Sequence, residues 1–215
     1  FAVRDEVGAL PLLQFTLDQL FQRRDGHVLT WDAYNDIGGV RGALTRHAEY
    51  IYLELPSEHH QRMARALFLR LIEPGVTEQD TTRRRAELQE LTLADPQDTE
   101  ILQITAEEFV ENRLLIRDED TIEVAHEALI REWERLAVWL NEARGELRLQ
   151  KKITTDAMDW ANAGKNPEDA RLYRGELLRE GLEWSAQNAA SKSEMDFLNA
   201  SQQLEAKREE EDAKR

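Results

Sequence analysis

Residues 99–129 read TEILQITAEEFVENRLLIRDEDTIEVAHEAL. Ile101, Leu102, Ile104, Phe109 and Val110 recur at helical spacing up to Asn112. The period then changes to alternation. Leu115-Ile116-Arg117 and Thr121-Ile122-Glu123-Val124 flank Asp118-Glu119-Asp120, which predicts strand, turn, strand. Ala125-His126-Glu127-Ala128-Leu129 then opens another helical run.

Outward from this stretch the chain reads as helices. Pro11 suits a first helical turn, because its fixed φ is already helical and its missing N–H costs nothing there. The helix beginning near Pro11 carries Leu13, Leu17, Leu20 and Phe21 and stops at Asp25-Gly26. Thr30 is an N-cap for a short helix at Trp31 to Asn35, and Gly38-Gly39 breaks it. A third helix with Leu44, Ala48, Ile51, Tyr52 and Leu55 closes at Pro56. Ser57 caps a fourth, striped by Ala64, Leu67, Phe68, Leu71 and Ile72 and broken by Pro74-Gly75. A small strand at Arg83 to Ala86, a helical turn through Leu88 and Leu91, and a loop at Asp95-Pro96 precede the helix from about Thr99. Helix, strand, helix, helix and hairpin in this order is the winged-helix plan, a variant of helix-turn-helix.

After Leu129 two stripes, Leu129-Trp133-Leu136-Leu140 and Leu149-Ile153-Ala157-Trp160, predict further helix. A loop at Gly164 to Pro167 leads to helices around Tyr173 to Trp184 and Glu194 to Leu204. The expectation is a mainly α chain in four parts. Residues 1–56 form a small helical domain, 57–126 a winged-helix domain with a short hairpin, 127–204 a helical domain and 205–215 a charged helical linker. A start at Phe1 rather than Met, and a last charged run without a cap, suggest a piece of a longer protein.

Composition narrows the function. The 215 residues carry 43 acidic against 28 basic side chains, a formal charge of -15, which repels nucleic acid and anionic lipid unless a local basic patch overrides it. There is no cysteine, so thiol nucleophiles, thiolate metal sites and disulfides are excluded. No apolar run approaches the length of a bilayer span, so no membrane partner is expected and the cytoplasm is the expected compartment. The helix at 100–112 would enter a DNA groove in a winged helix. It carries Glu100, Glu107, Glu108 and Glu111 and no Lys or Arg, which argues against a nucleic-acid partner. A winged-helix DNA-binding regulator is therefore the alternative reading, and a scaffold without ligand a third. Arg83-Arg84-Arg85 is the one basic cluster, and it reads as partners for the acidic surface rather than as phosphate contacts.

Catalytic motifs are missing. There is no GxxxxGK[ST], GxGxxG or GxSxG. His126-Glu127-Ala128-Leu129-Ile130 misses HExxH because Ile130 stands where the second histidine would be, so no zinc site follows. His59-His60 point in different directions on a helix and do not share a metal.

Two short segments point elsewhere. Gly8-Ala9-Leu10-Pro11-Leu12 opens the first helix, and Val124-Ala125-His126-Glu127 joins the hairpin to the next. In this order, around a winged helix, they resemble the GLPL-like and MHD-like segments of STAND signalling ATPases, the NB-ARC class. The wider strings GALPLLQFTLDQLF (8–21), GGVRGALTRHAEY (38–50), NRLL (112–115) and EVAHEALIREWERL (123–136) are similar to the bacterial novel STAND branch, over about Phe1 to Leu204. Ala125 stands where Met is usual and Glu127 where Asp is usual. The resemblance implies a regulatory portion following a P-loop domain that holds ADP or ATP with Mg. Pro11 would pack on the adenine, and His126 would approach the ADP β-phosphate just before a helix N-terminus, where backbone N–H groups favour an anion. The implied partners are the chain's own P-loop domain, a downstream repeat domain such as a WD propeller, and further copies on activation. By itself this stretch would be no enzyme, while the whole protein would be a slow, switch-type ATPase.

Overall fold

The computed structural model describes residues 9–75 and 80–214, without the side chains of residues 9–12 and 41. In chain order the elements are α1 (Ala9–Gln22), α2 (Trp31–Asp36), α3 (Gly39–Leu53), α4 (Glu58–Arg70), β1 (Ile72–Glu73), β2 (Thr82–Arg83), β3 (Ala86–Glu87) and a 3-10 turn (Leu88–Leu91). They continue as α5 (Pro96–Glu111), β4 (Leu115–Arg117), β5 (Thr121–Val124), α6 (Ala128–Glu132), α7 (Glu134–Asn162), α8 (Gly175–Gln187) and α9 (Lys192–Ala213). The chain is mainly α, as its periodicity predicts.

Local chemistry sets most boundaries. Thr30 Oγ1 accepts the N–H of Ala33 at 3.2 Å, and Ser57 Oγ accepts that of His60, so α2 and α4 start where expected. Gly38 and Gly39 take φ of +83° and +66° between α2 and α3, a turn open to few other residues. The hairpin pairs Leu115 with Val124, Ile116 with Glu123 and Arg117 with Ile122, closed by Asp118 N–H to the Thr121 carbonyl at 2.8 Å. Leu115, Ile122 and Val124 are buried, while Ile116 and Arg117 are exposed.

The described part of α1 starts at Ala9, near the expected Pro11, and first-turn N–H groups have no helical partner, so proline fits there. Three expectations are corrected. The helix expected from Thr99 starts at Pro96, because Asp95 caps it through Oδ1, 2.7 Å from the N–H of Gln97. The single strand expected at Arg83 to Ala86 is two: β2 pairs antiparallel with β1, and β3 joins a sheet of order β3-β5-β4. The stripe through Leu129 and Leu140 is broken, since Trp133 takes an extended ψ of 102° between α6 and α7.

The chain divides into two compact units, each made of two stretches: Phe1–Ala86 with Ile104–Glu142, and Glu87–Gln103 with Ala143–Arg215. In the first, Phe68 meets Phe109 edge-on at 4.9 Å and Trp133 at 5.2 Å, and Tyr52 meets Trp139 at 5.4 Å. The extended Trp133 also aims its indole N–H at Glu49, 2.9 Å away. The same carboxylate accepts from Arg135, whose guanidinium lies 4.1 Å over the Tyr52 ring. The second unit has its own core of Ile153, Trp160, Tyr173, Trp184, Phe197 and Leu198. Gly181 lets α8 approach α9 closely: a Cβ there would lie 2.8 Å from Leu198 Cδ2.

Candidate functional site

His126 stands at the exit of β5. Ala125 N–H still bonds the Leu114 carbonyl at 3.0 Å, and the His126 carbonyl accepts Leu129 N–H at 2.9 Å to begin α6. The backbone at His126 is thus held from both sides by the hairpin and the helical turn. The α6 helix is five residues long with the acidic Glu127 at its N-cap, so the helix end adds little attraction for an anion.

The imidazole is half-buried. Its Nδ1 is sealed from solvent and has no hydrogen-bond partner among the described residues. Phe15 of α1 meets the ring edge-on at 5.9 Å and also meets His47 of α3 at 5.4 Å. One phenyl ring therefore separates two histidines drawn from distant parts of the sequence. His47 Nε2 lies 3.1 Å from the Asn112 carbonyl, so that nitrogen donates and carries the proton. Burial holds the His47 imidazolium below its ordinary pKa, and the Arg23 charge adds to the effect. Burial likewise lowers His126, helped by the Arg83 charge.

A neutral imidazole with a sealed, unpartnered Nδ1 does best with its proton on Nε2. An orphan N–H is harder to leave unmade inside a protein than a lone pair of a weakly basic ring. Nε2–H is then the donor His126 can offer to an incoming acceptor such as a phosphate oxygen.

Pro11 lies in the first turn of α1, one turn before Phe15 in sequence, and its side chain lies outside the described residues. Phe15, His47 and Arg83 were not singled out as site residues by motif or spacing. They occupy different elements: Phe15 meets His126, His47 meets Phe15, and Arg83 bonds the Val124 carbonyl and acts on His126 through its charge. One signal was present: His47 falls in the GGVRGALTRHAEY string.

The arginine cluster is divided among tasks. Arg84 donates to the Arg70 carbonyl at 3.0 Å, and Arg85 pairs with Glu123 at 3.0 Å. Arg83 donates to the Val124 carbonyl at 3.3 Å, two residues before His126. On α5, Glu100, Glu107, Glu108 and Glu111 are all exposed, with Arg117 paired to Glu107 at 3.1 Å. An open groove of about 700 Å³ lined by Glu49, Glu132, Glu134, Arg135 and Trp139 includes neither His126 nor Phe15. No group of three His, Asp or Glu converges as a metal set among the described residues, and none of their helices is long and apolar enough to cross a membrane.

Among known proteins, the family model described as Novel STAND NTPase 1 matches residues 2–168. No curated protein and no solved structure gives a significant match.

Proposed function

This chain belongs to the Novel STAND NTPase 1 family, and on that premise we propose that it is the regulatory portion of a nucleotide-gated switch. In this reading it closes over ADP held by a P-loop domain that comes before it, and it opens when ATP replaces ADP. The P-loop domain would supply the phosphate cradle and Mg; this stretch carries no motif for either. Released surfaces would then relay the change to a downstream repeat domain and to further copies of the protein. The whole protein would be a slow ATPase in which hydrolysis resets the switch.

The observation that carries the reading is His126. Its backbone is pinned, its Nδ1 is unpartnered among the described residues, and its remaining nitrogen is suited to donate to an oxyanion. Pro11 would take the adenine. The winged-helix reading of residues 57–126 is supported by the succession α4, β1, β2, β3, 3-10 turn, α5, β4, β5, in which β1 and β2 form a separate pair, and by the sheet order β3-β5-β4. The four exposed glutamates of α5 weigh against a DNA role for it, because duplex affinity rests on cations at phosphates.

A ligand contact made in one of two states shifts their balance by its differential free energy and no more. One hydrogen bond to a charged group contributes about 1.5–3 kcal/mol, so His126→Ala should speed ADP release about tenfold to a hundredfold in the protein with its P-loop domain. Because Nδ1 makes no bond to the described residues, the melting temperature should fall only by the packing lost against Phe15. An unchanged ADP off-rate with a clear fall in melting temperature would assign His126 to the fold and remove it from the switch.

A further inference from the structure

The groove of about 700 Å³ beside Trp139 takes no part in the site around His126. All of its walls belong to the first compact unit: α3 on one side, the end of α6 and the start of α7 on the other. It lies where the chain turns at Trp133 instead of running straight from α6 into α7. Its volume falls in the range of ligand clefts, about 300–1,000 Å³. Trp133, Val138 and Trp139 supply apolar lining, and Val138 is 48% exposed.

Most of the charges in the lining are already matched. Glu49 and Arg135 bind each other, Glu142 pairs with Arg65 at 3.4 Å, and Arg46 donates to the Asp36 carbonyl at 2.5 Å. Glu132 and Glu134 differ: both are exposed and neither has an ion pair among the described residues. Glu134 stands in the first turn of α7, where a negative charge is favoured, but Glu132 ends α6, where it is not. One guanidinium is already held in this wall by a carboxylate and a ring. Arg135 lies between Glu49 and Tyr52, 4.1 Å over the ring centroid.

We propose that the groove is the docking site for a basic peptide segment of a partner protein. An arginine or lysine of that segment pairs with Glu132 and Glu134, and its apolar stem lies along Val138 and Trp139. A long cationic side chain suits such a groove because it joins a charged head to an aliphatic stem, matching an acidic rim and an apolar lining. The two unpaired glutamates outnumber Arg46 and turn anionic partners away. Docking here does not depend on the nucleotide switch.

Fluorescence anisotropy of a fluorescein-labelled, amidated peptide, arginine-leucine-glycine-arginine in tandem, measures docking on the whole chain. Binding should be saturable at low salt and weaken as salt rises. Glu132→Gln with Glu134→Gln should lower the affinity about fivefold, the loss of two exposed ion pairs. Val138→Ser should lower it about threefold through lost apolar burial. All three positions are exposed, so these variants leave the core intact. Glu100→Gln with Glu111→Gln removes the same charge from exposed positions on α5 and should leave binding unchanged. Spermine, of equal charge, should compete more weakly than unlabelled peptide. An equal loss in the α5 variant would show general attraction to an acidic chain and overturn the groove as the site. Unchanged binding by Val138→Ser, or spermine matching the peptide, would overturn a peptide as the occupant. No saturable binding by the wild type would overturn the docking site altogether.

Discussion

At the scale of single residues, two histidines make the chain sensitive to mild acid. His47 and His126 both have folded-state pKa values below the ordinary 6.5, in each case mainly through burial. The unfolded chain therefore binds protons first as pH falls. Stability from these groups is complete above 6.5 and declines below it, until the pH passes the folded values. Glu49, lowered mainly by its bond to Arg135, acts in the separate window below the carboxylate value of 4.5. The melting temperature should drop between about pH 7.5 and about pH 5.5, and the drop should shrink in the double variant His47→Gln, His126→Gln. Equal slopes in both proteins would show that the histidines are not the cause. His126 was legible in the sequence because it sits in a short string between a hairpin and a helix. Phe15 and His47 were not, since what matters is the ring contacts that join them to His126, and no local pattern encodes contacts between positions so far apart.

At the scale of elements, legibility followed the strength of local signals. The hairpin was readable because burial of Leu115, Ile122 and Val124 against exposure of Ile116 and Arg117 enforces alternation. The break at Trp133 was not. Trp133 fits the apolar stripe, and neither glycine nor proline marks the turn; its reason is the indole bond to Glu49 and the ring contacts with Phe68 and Tyr52. The start of α9 shows a cap that packing has turned into core. Glu194 is fully buried; it accepts the Ser191 N–H at 2.6 Å and the Thr154 hydroxyl at 2.5 Å, while Ser191 Oγ accepts Glu194 N–H at 3.2 Å. The Thr154 hydroxyl can turn to the Gln150 carbonyl, 3.0 Å away, but the Ser191 N–H would be stranded without the glutamate. Glu194→Ala should therefore cost about 2–3 kcal/mol in urea unfolding, against about 1 kcal/mol for Ser191→Ala. Similar losses for the two would mean that Glu194 acts only as an ordinary surface cap.

At the scale of the whole molecule, the sequence spoke clearly about class and composition. A mainly α, cysteine-free, acidic chain was visible in its counts and periods. Each compact unit combines two separate stretches of chain, and α5 and α7 each contribute to both units. A reading in sequence order has no means of registering that, because it depends on which helices pack together. In the proposed switch the segment around His126 rests on nucleotide in one state and leaves it in the other. Hydrogen–deuterium exchange across residues 114–132, in the protein joined to the P-loop domain proposed to precede it, tests this directly. Exchange there should be slow with ADP and faster with ATP, and excess ADP should reverse the change. Identical exchange in the two nucleotides, while the P-loop domain itself responds to them, would contradict it.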